Sequence, residues 1–201
     1  MMQKDCLNYL ILESRKFAKK HELFDIVLYG SNVKGKLKAN DLDIILIFRE
    51  KQLKARTEIA QDFKNLIEKD LNPDIKTINL IDFFEKDFLA RQSIFIEGYS
   101  LIYNEKFAKR FGFEGYSLFT YNLKNLNHNE KTKFIYALIG RRIEKGIIKK
   151  TGAVSLGKGA VKIPIEESII FEDFLKRWNI DYKTKNILEA RWFTKARLGK
   201  Q

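Results

Sequence analysis

Two aspartates, Asp41 and Asp43, stand two residues apart at the head of the apolar run Ile44–Phe48. Residues two apart on a strand point the same way, so this spacing puts two carboxylates on one face. Like charges held that close are costly unless a cation joins them. A hard divalent ion such as magnesium, which takes carboxylate and phosphate oxygens, is the natural partner. Nine residues separate Gly30-Ser31 from Asp41. Glycine there lets the backbone approach a phosphate closely, and the Ser31 hydroxyl adds a donor. Lys34, Lys36 and Lys38 sit in the intervening stretch, where they can neutralise a triphosphate. A third carboxylate, Asp74, opens the next extended segment as Asp41 opens its own. If those two strands are neighbours, three carboxylates converge. Such a set holds two metal ions and can take the proton of an attacking hydroxyl.

The elements that must position these residues are legible in the hydrophobic pattern. Leu7, Leu10, Ile11, Phe17 and Ala18 share one face of a helix over about residues 4–20. Phe24 to Tyr29 reads as a strand ending at Gly30, residues 31–40 as a polar, lysine-rich loop, and Asp41 to Phe48 as a second strand. Leu53, Ile59, Ala60, Phe63, Leu66 and Ile67 mark another helix. After Pro73 a third strand runs from Asp74 to Leu80. Asp82 is placed as the cap of a short helix, a longer helix covers about residues 87–97, and Tyr99–Tyr103 reads as extended.

Gly-Ser, nine residues and Asp-x-Asp, set between a helix–strand unit and an apolar strand, resembles the nucleotidyltransferase superfamily. That group includes DNA polymerase beta, CCA-adding enzymes and small minimal nucleotidyltransferases, and the likeness is greatest to the minimal type. Its loop often reads Gly-Ser-x-x-Arg-Gly; here it reads Gly30-Ser31-Asn32-Val33-Lys34-Gly35. Lysine keeps the charge of the usual arginine and loses its bidentate fork. Ile94–Tyr103, with Glu97-Gly98 inside it, is similar to the end of such domains, so the resemblance covers about residues 22–104. It implies a mixed α/β domain. It also implies that Asp41 and Asp43 bind metal, that Asp74 is the third carboxylate, and that Gly30, Ser31 and Lys34 hold the triphosphate. The reaction implied is magnesium-dependent transfer of a nucleoside monophosphate, with ATP the expected donor, to an acceptor hydroxyl.

The second half has a different character. Residues 1–105 carry 17 basic and 17 acidic side chains, and residues 106–201 carry 21 and 9, so the whole excess of +12 lies beyond residue 105. That asymmetry points to a polyanion, with RNA the expected acceptor. Arg141 and Arg142 at a helix end, Lys158 in a hairpin turn, and Lys183 and Lys185 on the last strand are the candidate contacts. Arg191, Lys195, Arg197 and Lys200 follow in a basic tail. The alternatives are adenylylation of a protein hydroxyl, and a catalytically silent RNA-binding protein. The elements read strand (116–121), helix (128–140), strand (148–155), strand (159–164), helix (166–178), strand (182–189), which is the βαββαβ, ferredoxin-like plan. Asn127 with Glu130 has the form of a capping box. Tyr116, Phe119 and Tyr121 alternate on a strand, more as core than as base-stacking residues. The expected division is therefore a nucleotidyltransferase domain over 1–108, a basic ferredoxin-like domain over 109–190 and a tail over 191–201.

Other chemistries are poorly served. His21 and His128 have no ligand-spaced partners, and Cys6 is the one cysteine, so no internal disulfide can form. Gly157-Lys158-Gly159 lacks the full phosphate-loop pattern and suits a hairpin turn. With 45% hydrophobic residues the chain can bury a core, its longest clear apolar run is far short of a membrane span, and a cytoplasmic setting with no membrane contact is expected.

Overall fold

The computed structural model describes residues 4–30, 42–67 and 72–190. A long helix, α1 (Lys4–His21), leads into strand β1 (Leu23–Tyr29). Strand β2 (Leu42–Phe48), helix α2 (Leu53–Ile67) and strand β3 (Pro73–Asn79) follow, then two short helices, α3 (Leu80–Phe83) and α4 (Arg91–Glu97). Two-residue strands β4 (Tyr99–Ser100) and β5 (Glu105–Lys106) complete a five-stranded sheet ordered β3-β2-β1-β4-β5. Only β2 and β3 run parallel, because α2 returns the chain to the same end before β3 begins.

Alternation along the strands divides this sheet cleanly. Ile26, Leu28, Ile44, Leu46 and Phe48 face α1 and α2, where Leu10, Phe17, Phe63 and Ile67 meet them. Val27, Tyr29, Ile45, Ile47 and Ile78 face the opposite way, against Phe83, Ile94 and Phe107. Asp25 interrupts the apolar β1 and is fully buried. Burial pushes its carboxyl above the ordinary aspartate value, opposed by the Ser100 hydroxyl, by Arg110 and by the Ile26 N–H. Ser100 Oγ donates to Asp25 at 2.7 Å and the Ile26 N–H at 2.8 Å. The Arg110 guanidinium donates to the other carboxylate oxygen and stacks over Tyr103 at 3.7 Å. Removing one partner of a buried ion pair strands the other charge. Arg110→Ala should therefore lower unfolding free energy by about 3 kcal/mol in urea titration. A loss below about 1 kcal/mol would mean that the pair behaves as a surface ion pair.

A 3-10 turn over Phe107–Phe111 joins the first sheet to strand β6 (Phe113–Tyr121) without a linker. Helix α5 (His128–Ile139) opens on the predicted capping box, with Asn127 accepting from the Glu130 N–H and Glu130 accepting from the Asn127 N–H. Strands β7 (Gly140–Arg141) and β8 (Glu144–Lys145) form a small hairpin, and a single helical turn, α6 (Ile147–Thr151), follows. Strands β9 (Val154–Gly157) and β10 (Ala160–Pro164), helix α7 (Ser168–Arg177) and strand β11 (Tyr182–Ala190) complete the chain. The second sheet is ordered β11-β6-β10-β9 with every pair antiparallel. That is the strand arrangement of the βαββαβ plan. Phe119, Phe134, Val161, Ile163, Phe171 and Leu175 form its core.

Five local expectations change; the helix read over about 87–97 begins only at Arg91. The segment expected as a strand at 148–155 begins instead as α6, because Ile147 and Ile148 pack into the second core as a helical turn. Arg141 and Arg142 lie beyond the helix end, in the β7–β8 hairpin. Asp82 sits inside α3, whose N-cap is Asn79. Tyr99–Tyr103 is extended only at Tyr99–Ser100, after which the chain turns.

Candidate active site

The site forms where β1 ends and β2 and β3 begin. In the antiparallel β1–β2 pair Tyr29 stands opposite Asp43, and in the parallel β2–β3 pair Asp43 stands opposite Asp74. Opposed residues share a face, so Tyr29, Asp43 and Asp74 form one row across three strands. Neighbouring strands lie ~4.8 Å apart, which brings the two carboxylates within reach of one cation. The row continues that of Ile45, Ile47 and Ile78, the face covered by α3 and α4. Asp43 is half-buried and Asp74 is exposed.

Gly30 ends β1 with φ +82°. A Cβ at that position would lie 2.4 Å from Asp43 Oδ2, so the main chain turns directly over the carboxylate. A side chain here would crowd the Asp43 carboxylate.

Lys76, two residues beyond Asp74 on the same face, is a member of the site that the motif did not announce. Its Nζ lies 3.5 Å from Asp74 Oδ2. The Tyr29 hydroxyl and then Asp74 hold the Lys76 ammonium protonated above the usual lysine range, against partial desolvation. Burial pushes the Tyr29 phenol up; Lys76 opposes this and Asp43 adds to it. The signal for Lys76 was its period-two spacing from Asp74.

Ser31, Lys34 and Asp41 lie outside the described residues, as do Lys36, Lys38 and the tail residues Arg191, Lys195, Arg197 and Lys200. Among the described residues no group of three metal-ligating side chains occurs. Asp43 and Asp74 supply two, and their hard carboxylate oxygens suit magnesium.

Beside Gly30 opens a cleft of about 510 Å³ between the two sheets. Tyr29 and Gly30 reach it from the first sheet, Ser93 and Glu97 from α4, Ser117, Thr184 and Asn186 from the second sheet, and Glu172 from α7. Ser117 Oγ donates to Asn186 Oδ1 at 2.8 Å, and Glu172 Oε1 accepts from the Tyr182 hydroxyl at 2.7 Å. The wall is set by close packing: a Cβ at Gly115 would stand 2.2 Å from the Ile96 carbonyl oxygen. These cleft residues come from five separate elements, and no local motif marks them.

The basic residues expected to touch nucleic acid are distributed over three places. Arg141 and Arg142 belong to the β7–β8 hairpin, where Arg141 stacks over Tyr136 at 4.8 Å. Lys158 lies in the turn between β9 and β10, at one edge of the second sheet. Lys183 and Lys185 are exposed on β11, at the other edge. Phe119 and Tyr121 belong to the core, as expected. No helix among the described residues is long and apolar enough to cross a membrane.

Residues 11–103 match the family model described as a nucleotidyltransferase domain. No curated protein matches the chain. Among solved structures, one described as the toxin-antitoxin MntA-HepT is 18% identical, covers 47% of this chain and 70% of its own, and has a TM-score of 0.34. Another, described as a toxin-antitoxin with AMP-PNP, is 23% identical, covers 46% and 70%, and has a TM-score of 0.35.

Proposed function

We propose, from the match of residues 11–103 to the nucleotidyltransferase domain model, that the chain transfers a nucleoside monophosphate from ATP to an acceptor hydroxyl with magnesium. The observation that carries this reading is the register of Asp43 on Asp74 beneath the turn at Gly30. Asp41, Asp43 and Asp74 would hold the two ions, and Gly30, Ser31 and Lys34 the triphosphate. Magnesium bound there supplies charge neutralisation for the phosphates and raises the acidity of the attacking hydroxyl. Asp74 is the proton acceptor in this scheme. It is the exposed member of the pair, and Lys76 stands beside it to steady its charge. Asp43, directly beneath the Gly30 main chain, would orient the metal. The division into a catalytic unit over 1–108 and a second unit over 109–190 belongs to the same proposal.

Magnesium with ATP should raise the melting temperature by roughly 5–10 °C at a hundredfold excess over Kd. Asp74→Asn should keep most of that rise, since Asp43 and the Gly30 turn remain. Its transfer rate should fall by about 10²–10⁴-fold, the usual contribution of a general base. Label transfer from α-labelled ATP to lysate reads the second quantity. An Asp74→Asn variant with near-normal turnover would return Asp74 to the role of a turn residue after Asn72-Pro73.

A further inference from the structure

The hairpin between α5 and α6 goes against the chemistry of its own turn. Strands β7 and β8 pair Gly140 with Lys145 and Arg141 with Glu144, which leaves a two-residue turn of Arg142 and Ile143. Such turns favour Asn-Gly, or glycine in first place, because the first central residue takes a positive φ. Here that residue is Arg142, with φ +55°, a conformation unfavourable for any residue with a Cβ. Ile143 at the tip is 98% exposed. Departures of this kind from local rules gather at functional sites. The base of the hairpin, in contrast, is closely fitted. A Cβ at Gly140 would stand 2.3 Å from the Glu144 carbonyl oxygen, and one at Gly146 would stand 2.4 Å from that of Leu138. Main chain therefore closes on main chain where the hairpin leaves α5, and the arm is held in one direction.

The charge of this unit is as uneven as its turn. Residues 131–150 carry seven lysines and arginines against one glutamate, which is half of the net +12 of the chain. Among the described residues none of these seven takes part in an ion pair. Arg141 through Lys145 are all exposed. Arg141 lies over the Tyr136 ring at 4.8 Å, which orients its guanidinium.

We propose that the β7–β8 hairpin is a binding site for duplex DNA, entering the major groove by its Arg142-Ile143 tip. The proposal is independent of the transfer reading. A spread array of unneutralised cations suits a chain of phosphates, which supplies one charge to each. The shape selects the duplex. Strands of a ribbon lie ~4.8 Å apart, and the B-form major groove, roughly 12 Å wide and 8.5 Å deep, admits a two-stranded ribbon. At ~3.3 Å per residue the tip stands about 7 Å beyond the pinned Gly140, a reach comparable to that depth. Arginine forks fit the guanine edge or a phosphate, and an isoleucine side chain fits the methyl group of thymine. Lys149 and Lys150 on α6 and Lys133 on α5 flank the arm, where the two backbones of the groove would run. The deep, narrow major groove of A-form RNA excludes such a ribbon. An anionic lipid surface asks for more apolar side chain than the one isoleucine of the turn.

Fluorescence anisotropy on the full chain tests this with four probes: a short mixed-sequence DNA duplex, the same sequence as duplex RNA, its single DNA strand, and vesicles of phosphatidylserine and phosphatidylcholine. The DNA duplex should bind with a Kd below roughly 100 µM at physiological salt, and at least fivefold more tightly than the other three. Its affinity should fall with salt at a log–log slope of about −3 to −6. Arg142→Gly relieves the turn and removes one cation. It should raise the melting temperature by a few degrees and weaken DNA binding about tenfold, with a slope shallower by about one. Ile143→Ser should weaken binding severalfold with the slope unchanged, since no charge is lost. Lys185→Ala removes the same charge outside the hairpin and should change affinity less than twofold. Failure of the duplex to bind within that range, equal or tighter binding of RNA, single strand or vesicles, or equal losses for Arg142→Gly and Lys185→Ala would overturn the proposal. So would an Ile143→Ser variant that binds as the wild type does.

Discussion

Asp43→Asn leaves the chain folded and abolishes both nucleotide stabilisation and transfer; this is the result we expect with the largest effect. Asparagine has the shape of aspartate, and β2 presents position 43 at its open start, so the strand loses no packing. The Asp43–Asp74 repulsion across the parallel pair disappears, so the melting temperature without metal should hold or rise slightly. With one proposed ligand made neutral, the site should no longer concentrate enough negative charge to hold magnesium against water. Metal-supplied stabilisation of several kcal/mol corresponds to roughly 10³-fold or more in rate. Calorimetry with and without magnesium and ATP, beside a label-transfer assay, measures both quantities. A variant whose melting responds to magnesium and ATP as the wild type does would move the metal away from Asp43.

Gly30→Ala should be nearly as damaging to turnover while replacing none of the carboxylates of the site. The position needs φ +82°, which costs alanine about 1 kcal/mol. The new Cβ would also arrive 2.4 Å from Asp43 Oδ2, so the carboxylate must rotate or the turn must open. Either movement displaces the carboxylate proposed to bind metal by a substantial part of an ångström, and misplacement of that size costs about 10²-fold. We expect a loss in melting temperature of only a few degrees beside a loss in kcat of about 10²-fold or more. Equal rates for Gly30→Ala and wild type, with the fold intact, would show that the β1 turn does not govern Asp43.

The parts of the site that lie on one strand were readable from the sequence. Asp43 leads an apolar run, and Asp74 opens another after Asn72-Pro73, so both could be placed at strand starts by alternation alone. Their pairing was not readable, because strand register is a non-local property; only the parallel β2–β3 ladder puts Asp43 beside Asp74. Asp25 carried an unused signal. A charge within Leu23–Tyr29, otherwise apolar, requires a buried partner, and Arg110 is 85 residues away. The cleft was beyond reach for the same reason: Ser93, Ser117, Glu172 and Asn186 meet only because two sheets close on α4. In the second half, capping and turn chemistry located α5 and the β9–β10 hairpin, since these depend on neighbours in sequence. The Ile147-Ile148 pair misled, because two adjacent apolar residues serve a helical turn as well as a strand. The charge excess was counted correctly, but a count does not show direction, and β11 sends its lysines to the face away from the cleft.

The contact between Gly115 and the Ile96 carbonyl has a consequence for how such a cleft diversifies. Where the strand passes α4, the distance between the opposing walls is fixed by main chain against main chain, with no side chain to trade at that point. Substitutions at 93, 117, 184 or 186 then change the polarity of the walls without changing how far apart they stand. Width is inherited from the backbone and polarity from the side chains, so the two can drift independently.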